Sequence, residues 1–123
     1  MSKNVLIVDD STTVRMYHKQ ILTNAGYECE EAENGMEALE KAQHKEYDLY
    51  IVDINMPVLD GYSFVKRLRE GEGHIAPVII VSTESESKDM ELAYESGASL
   101  YLVKPVKPEE LLINAKLLTF NTR

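Results

Sequence analysis

Cysteine is nearly absent: the 123 residues include one, Cys29. An internal disulfide and a cysteine-based zinc site are therefore excluded, and the lone thiol fits a reducing compartment. There is no tryptophan, and proline (4) and glycine (6) are sparse, so no Pro/Gly/Ser-rich linker or low-complexity tract divides the chain. Basic residues are outnumbered. Thirteen Lys and Arg against 21 Asp and Glu give a net charge of −8. That deficit argues against nucleic-acid binding and against an anionic membrane surface, and it leaves room for metal cations or basic partner surfaces. No apolar run approaches the roughly 20 residues of a membrane span. The opening MSKNVLIVDD is too briefly apolar, and too soon acidic, for a signal peptide. What is present, 44% hydrophobic and 28% charged residues, is the balance of an ordinary globular domain. The expectation is one cytoplasmic domain over 1–123, without an output domain.

Four short continuous runs are apolar and rich in β-branched residues: Val5–Val8, Leu49–Val52, Val78–Val81 and Leu100–Val103. They read as strands covered on both faces of a parallel sheet. A fifth run, Tyr27–Ala32, is interrupted by Glu28, Glu30 and Glu31 and reads as an edge strand. Between the runs the spacing turns helical. Val14, Tyr17, Ile21, Leu22 and Ala25 form a stripe ended by Gly26. Asn34 and Glu37 suggest a capping box ahead of Ala38, Leu39 and Ala42. Phe64, Val65 and Leu68 mark a third helix, stopped near Gly71 and Gly73. Met90 and Ala93, with Leu92, mark a fourth, stopped at Gly97. Pro108, followed by Glu109 and Glu110, opens a fifth with Leu111, Leu112, Ala115 and Leu118 inward. The segment Gly71-Glu72-Gly73-His74 reads as a flexible connection, and Asn121-Thr122-Arg123 as a frayed end. Strict β/α alternation predicts a doubly wound parallel sheet with helices on both faces.

In such a sheet the C-terminal strand ends share one edge, where ligands bind. The first run ends in Asp9-Asp10, the third in Asp53, the fourth in Ser82-Thr83 and the fifth in Lys104-Pro105. Three carboxylates brought together repel one another and raise one another's pKa values. Lys104 offsets one charge, and a divalent cation would offset more. An all-oxygen ligand set selects a hard ion, Mg²⁺ or Mn²⁺, with coordination positions left for phosphate oxygens.

Asp9-Asp10, Asp53, the segment Met56-Pro57-Val58-Leu59-Asp60-Gly61, Ser82 and Lys104-Pro105, in this order and each at a strand end, resemble the receiver domain of two-component response regulators. The resemblance runs from about Asn4 to Leu118, and its single-domain chemotaxis type is similar in length and layout. It implies strand order 2-1-3-4-5. It implies Asp53 as the phosphoacceptor. It implies Mg²⁺ held by Asp10, by Asp9 directly or through water, by Asp53 and by the backbone carbonyl of Asn55. Ser82 and Lys104 would bind phosphoryl oxygens. Pro105 matches the family's cis proline. Tyr101 would turn inward as Ser82 moves toward the phosphoryl group, and Glu84 would influence access to the site.

The resemblance also implies partners. A histidine kinase would donate the phosphoryl group. An output protein would bind the face of the fourth helix, fifth strand and fifth helix, including Lys88, Glu91, Tyr94 and Tyr101. The chain would be a monomer, with a transient dimer open to it on activation. It would act as a signalling switch that catalyses only its own phosphorylation and dephosphorylation, in chemotaxis first and as a phosphorelay intermediate or phosphate sink second. Other readings meet obstacles. A hydrolase with an aspartate nucleophile wants Asp-x-Asp after the first strand, where this chain has Asp9-Asp10-Ser11. A flavin or nucleotide carrier wants an acid-free loop there. A degenerate receiver would lack one of the acids, the hydroxyl or the lysine, and all are present.

Overall fold

The computed structural model describes residues 2–71 and 75–120. The expected connection at Glu72–His74 and the expected frayed end at 121–123 lie outside the described residues, as does Gly73. The order is β1 (Asn4–Val8), α1 (Thr12–Asn24), β2 (Glu28–Ala32), α2 (Gly35–His44), β3 (Leu49–Asp53), α3 (Gly61–Glu70), β4 (Val78–Ser82), α4 (Ser87–Ser96), β5 (Leu100–Val103) and α5 (Pro108–Thr119). All strand pairs are parallel and the sheet order is β2-β1-β3-β4-β5. The acidic run is indeed an edge strand, β2, and β3 and β4 are buried throughout, but β5, expected to be covered on both faces, forms the other edge and leaves Val103 exposed.

Two alternating sets of side chains cover the sheet's two faces. Leu6, Val8, Tyr50, Val52, Val78 and Ile80 point toward α2, α3 and α4, where Ala38, Phe64, Leu68 and Ala93 meet them. Val5, Ile7, Leu49, Ile51, Ile79 and Val81 face α1 and α5, packing against Leu22, Leu111 and Ala115. Helix starts are fixed by local chemistry. Ser11, Asn34 and Asp60 each accept a backbone N–H of the first turn, satisfying donors that a helix leaves open. The Asn34 cap is joined by a reciprocal bond from the Glu33 N–H to Glu37 Oε1. Gly97, at φ 115°, supplies the left-handed residue that ends α4. Arg69 ties the two sides of that turn together, donating to the carbonyls of Gly97 and Ala76.

The inward face of α1 differs from the expected stripe. Its buried residues are Arg15, His18 and Leu22, while Tyr17 is exposed and Val14 and Ile21 are only half-buried. The reason is the polar sheet end beneath the helix. Arg15 donates from Nη1 to the Asp9 carbonyl at 2.5 Å and from Nε to Glu31 at 2.8 Å. A charged side chain so paired can occupy a position that hydropathy alone would assign to solvent.

His18 is less well served. It is 2% exposed, and its Nδ1 has no hydrogen-bond partner among the described residues. Burial pushes its pKa down to about 4, the attraction of Asp9 notwithstanding. The unfolded chain takes up this proton near pH 6.5, whereas the folded one refuses it until about pH 4. Stability is therefore expected to fall as pH drops through that window and to level off below it, by roughly 3 kcal/mol in all. Denaturant titrations of wild type and His18→Leu between pH 7 and pH 4 check this, since the variant is expected to lack that component. Parallel curves would contradict it.

Candidate functional site

Parallel register delivers the functional side chains to one edge. Val8 of β1 lies opposite Val52 of β3, so Asp9 emerges beside Asp53. Ser82 pairs with Val103, and the Lys104 N–H donates to the Ser82 carbonyl at 2.7 Å. Carboxylate oxygens of Asp9, Asp10 and Asp53 all lie within 4.8 Å of one another. Asp9 and Asp53 are buried, and Asp10 is exposed at the rim. Lys104 Nζ donates to Asp53 Oδ1 at 2.8 Å and to Asp9 Oδ2 at 3.0 Å. The lysine is joined to Pro105 by a cis peptide bond.

One ammonium thus serves three carboxylates, and the electrostatics follow. Burial raises the pKa of Asp53, and repulsion from Asp9 and Asp10 adds to the rise against the Lys104 hydrogen bond. Burial alone would lower the pKa of Lys104, but its bonds to Asp53 and Asp9 outweigh that and hold it above the ordinary lysine range. The two directions agree physically: negative charge is in excess, so the cation is held and the central carboxylate is stressed. Hard oxygen donors this close suit Mg²⁺ or Mn²⁺, and the carboxylates of Asp9, Asp10 and Asp53 fit such an ion. Asn55 lies exposed in the turn after Asp53. No contact ties its side chain to the carboxylates among the described residues.

The loop after β3 is shaped to present Asp53. An added Cβ at Gly61 would stand 2.4 Å from the Asp53 carbonyl and 2.8 Å from Ile54 Cα. Backbone cannot yield as a side-chain tip can, so Gly61→Ala is expected to cost about 3 kcal/mol of stability and to displace Asp53. Thermal unfolding reads the first effect and divalent-cation affinity the second. Asp60 is structural, its carboxylate capping α3 at Ser63. Val58 is an outlier in the same loop, at φ 73°. A β-branched residue there carries roughly 1–2 kcal/mol of strain.

The hydroxyl and the aromatic also meet. Ser82 is fully buried, and its Oγ accepts the Glu84 N–H at 3.0 Å. Tyr101 donates its hydroxyl to the Glu84 carbonyl at 2.8 Å. The residue is 7% exposed and so already inward. The peptide groups flanking Glu84, at the start of the β4–α4 loop, are thereby held from both sides. Burial raises the Tyr101 pKa, with the nearby Ser82 hydroxyl pulling it down. Of the proposed output face, Lys88, Glu91 and Tyr94 are exposed, whereas Tyr101 is buried.

Arg15 escaped the sequence reading. It braces the Asp9 turn through that residue's carbonyl, while Asp9 Oδ1 accepts the Ser11 N–H at 2.9 Å. The only signal for it was its spacing to His18 and Leu22 along one helix face.

Comparison with known proteins agrees with this geometry. The chain matches the response regulator receiver domain family over residues 5–116. Chemotaxis protein CheY4 of Vibrio cholerae superposes with a TM-score of 0.91 at 39% identity, covering 96% of this chain and 99% of that one. The receiver domain of sensor histidine kinase PA1611 from Pseudomonas aeruginosa was solved with a magnesium ion coordinated in its active site cleft. It superposes at 0.91 with 27% identity, covering 98% of this chain and 100% of that one. Transcriptional regulatory protein SrrA of Staphylococcus aureus is 35% identical over 123 residues, which is all of this chain and 50% of SrrA. The chain therefore spans about half the length of that relative. With the 2-1-3-4-5 sheet and the acidic strand-end cluster in place, the chain belongs to the response regulator receiver domain family of two-component signalling.

Proposed function

We propose that the chain is a phosphoacceptor switch that takes a phosphoryl group from a histidine kinase onto Asp53. The observation that carries this reading is the convergence of Asp9, Asp10, Asp53 and Lys104 from three strand ends. An Asp53 carboxylate oxygen attacks phosphorus of the donor's phosphohistidine. The O–P bond forms as the P–N bond breaks, and the electron pair returns to the departing imidazole. Phosphoryl transfer needs mainly positioning and neutralisation of spreading charge. Mg²⁺, or Mn²⁺ in its place, would be held by Asp9, Asp10, Asp53 and the Asn55 carbonyl, and would supply that neutralisation. Lys104 pairs with one phosphoryl oxygen as a point charge, leaving Asp53 to do so.

Ser82 is the hydroxyl for a second phosphoryl oxygen. Turning toward it would release the Glu84 N–H, loosening one of the two holds on the β4–α4 loop. Tyr101 keeps the other from the inward position. The change is thereby carried to the face of α4, β5 and α5, where Tyr94, Ile113 and Leu117 are exposed and where an output protein binds. The proposed switch is a cytoplasmic monomer that dimerises transiently on activation; among the described residues no helix is long and apolar enough to cross a membrane. We place residues 1–123 in one receiver unit. Similarity to a chemotaxis protein supports that pathway first, while the relative SrrA is a transcriptional regulator. Phosphotransfer from a labelled kinase, with output-partner binding measured before and after, tests the reading. Binding indifferent to phosphorylation would overturn the switch.

A further inference from the structure

A second concave surface lies between α2 and α3, away from the strand-end cluster. It is an open cleft of about 870 Å³ lined by, among others, Met36, Leu39, Glu40, Val58, Arg67 and Glu70. Its apolar contribution is unusual. Val58 is 76% exposed and Met36 45% exposed. Val58 gains little from burial, yet it keeps a backbone conformation that β-branched residues avoid. Strain held at an exposed apolar residue points to a use outside the fold. The cleft wall is firmly placed, because Leu59 packs directly over Gly35, where an added Cβ would lie 2.7 Å from the Leu59 carbonyl oxygen.

The charges are just as uneven. Among the described residues Glu37, Glu40 and Glu70 face the cleft against one cation, Arg67. Glu37 is occupied by the Glu33 N–H, and Arg67 rests on the Met36 sulfur. Glu40 and Glu70 make no ion pair among the described residues. Glu70 is also the last residue of α3, where the helix dipole disfavours a carboxylate. A cation from outside would relieve both.

We propose that this cleft docks a basic amphipathic segment of another protein, with an apolar side chain against Val58 and Met36 and flanking Lys or Arg on Glu40 and Glu70. Charge complementarity selects this occupant. A second copy of the chain, at net charge −8, would bring like charge to an acidic cleft.

The test pans a random-peptide phage library against the full chain, with counter-selection on the Glu40→Lys/Glu70→Lys variant. Enriched sequences are expected to carry Lys or Arg around a large apolar residue. A peptide synthesised from them should bind wild type and lose roughly tenfold in affinity to the double variant. Its amide shift changes should map to α2, α3 and residues 56–60. Val58→Gly should weaken the peptide by a similar factor without lowering the melting temperature, a pair of effects that a merely structural valine would not give. Phosphotransfer to Asp53 should be unchanged in the double variant. The proposal is overturned by the absence of enrichment, by enrichment of acidic or neutral sequences, or by shift changes on another face. It is equally overturned if sedimentation shows the chain pairing with itself through this cleft.

Discussion

Asp53→Asn is expected to abolish phosphoryl acceptance, lowering transfer from a phosphorylated histidine kinase by at least about a thousandfold. The amide keeps the shape of the carboxylate and loses its nucleophilic charge. Neither neighbour can take over. Asp9 commits one oxygen to the Ser11 N–H and the other to Lys104, and Asp10 stands exposed at the rim without a hydrogen bond from Lys104. A gel assay with labelled kinase reads the loss directly, and label retained on the variant would assign the acceptor elsewhere. The same substitution should raise the melting temperature at pH 7 in chelator. Burial and two like charges hold the Asp53 pKa above the usual carboxylate range. The folded state therefore binds that proton more readily than the unfolded state and is penalised wherever the group must ionise. By the same sign, wild-type transfer should decline on acidification at a higher pH than an ordinary carboxylate would give.

Lys104→Ala should produce the second large effect, and it should depend on the divalent cation. Among the described residues Lys104 is the one cation hydrogen-bonded to this cluster, through Asp9 and Asp53. Its loss leaves buried Asp9 and Asp53 unpaired, which costs on the order of 2–3 kcal/mol in chelator. Millimolar Mg²⁺ should restore much of that, because the ion binds the folded cluster and stabilises it by mass action. Transfer should remain slowed by about a hundredfold or more even in saturating Mg²⁺, since the ammonium also meets charge that develops on the phosphoryl group. Melting curves with and without Mg²⁺ and single-turnover transfer rates separate the two roles. A variant whose stability ignores Mg²⁺ would show that the carboxylates do not share an ion.

Much of the architecture could be read from local pattern. The β-branched runs became β1, β3, β4 and β5, and the glutamate-broken run became the edge strand β2. Because parallel strands place their C-terminal ends together, the residues that follow those runs could be grouped before any coordinates. The structure brings Asp9, Asp10, Asp53 and Lys104 into contact distance. What stayed hidden depends on non-local partners. Arg15 faces inward, although Tyr17 looks the better core residue, because the surface under α1 offers it a carbonyl and Glu31 rather than a wholly apolar floor, and His18 follows on the same helix face. The holding of Glu84 by Ser82 and Tyr101 ties the ends of two strands to one loop and leaves no periodic trace. The strain at Val58 is a backbone property that its side chain argues against.

The most direct measurement is site-resolved mass spectrometry of the chain after reaction with a small acyl-phosphate donor, in Mg²⁺ and in chelator. One phosphoryl group per chain is expected, on Asp53, formed when the reaction is run in Mg²⁺ and absent when it is run in chelator. A phosphoryl group on any other side chain, or equal labelling of Asp53 in chelator, would contradict it.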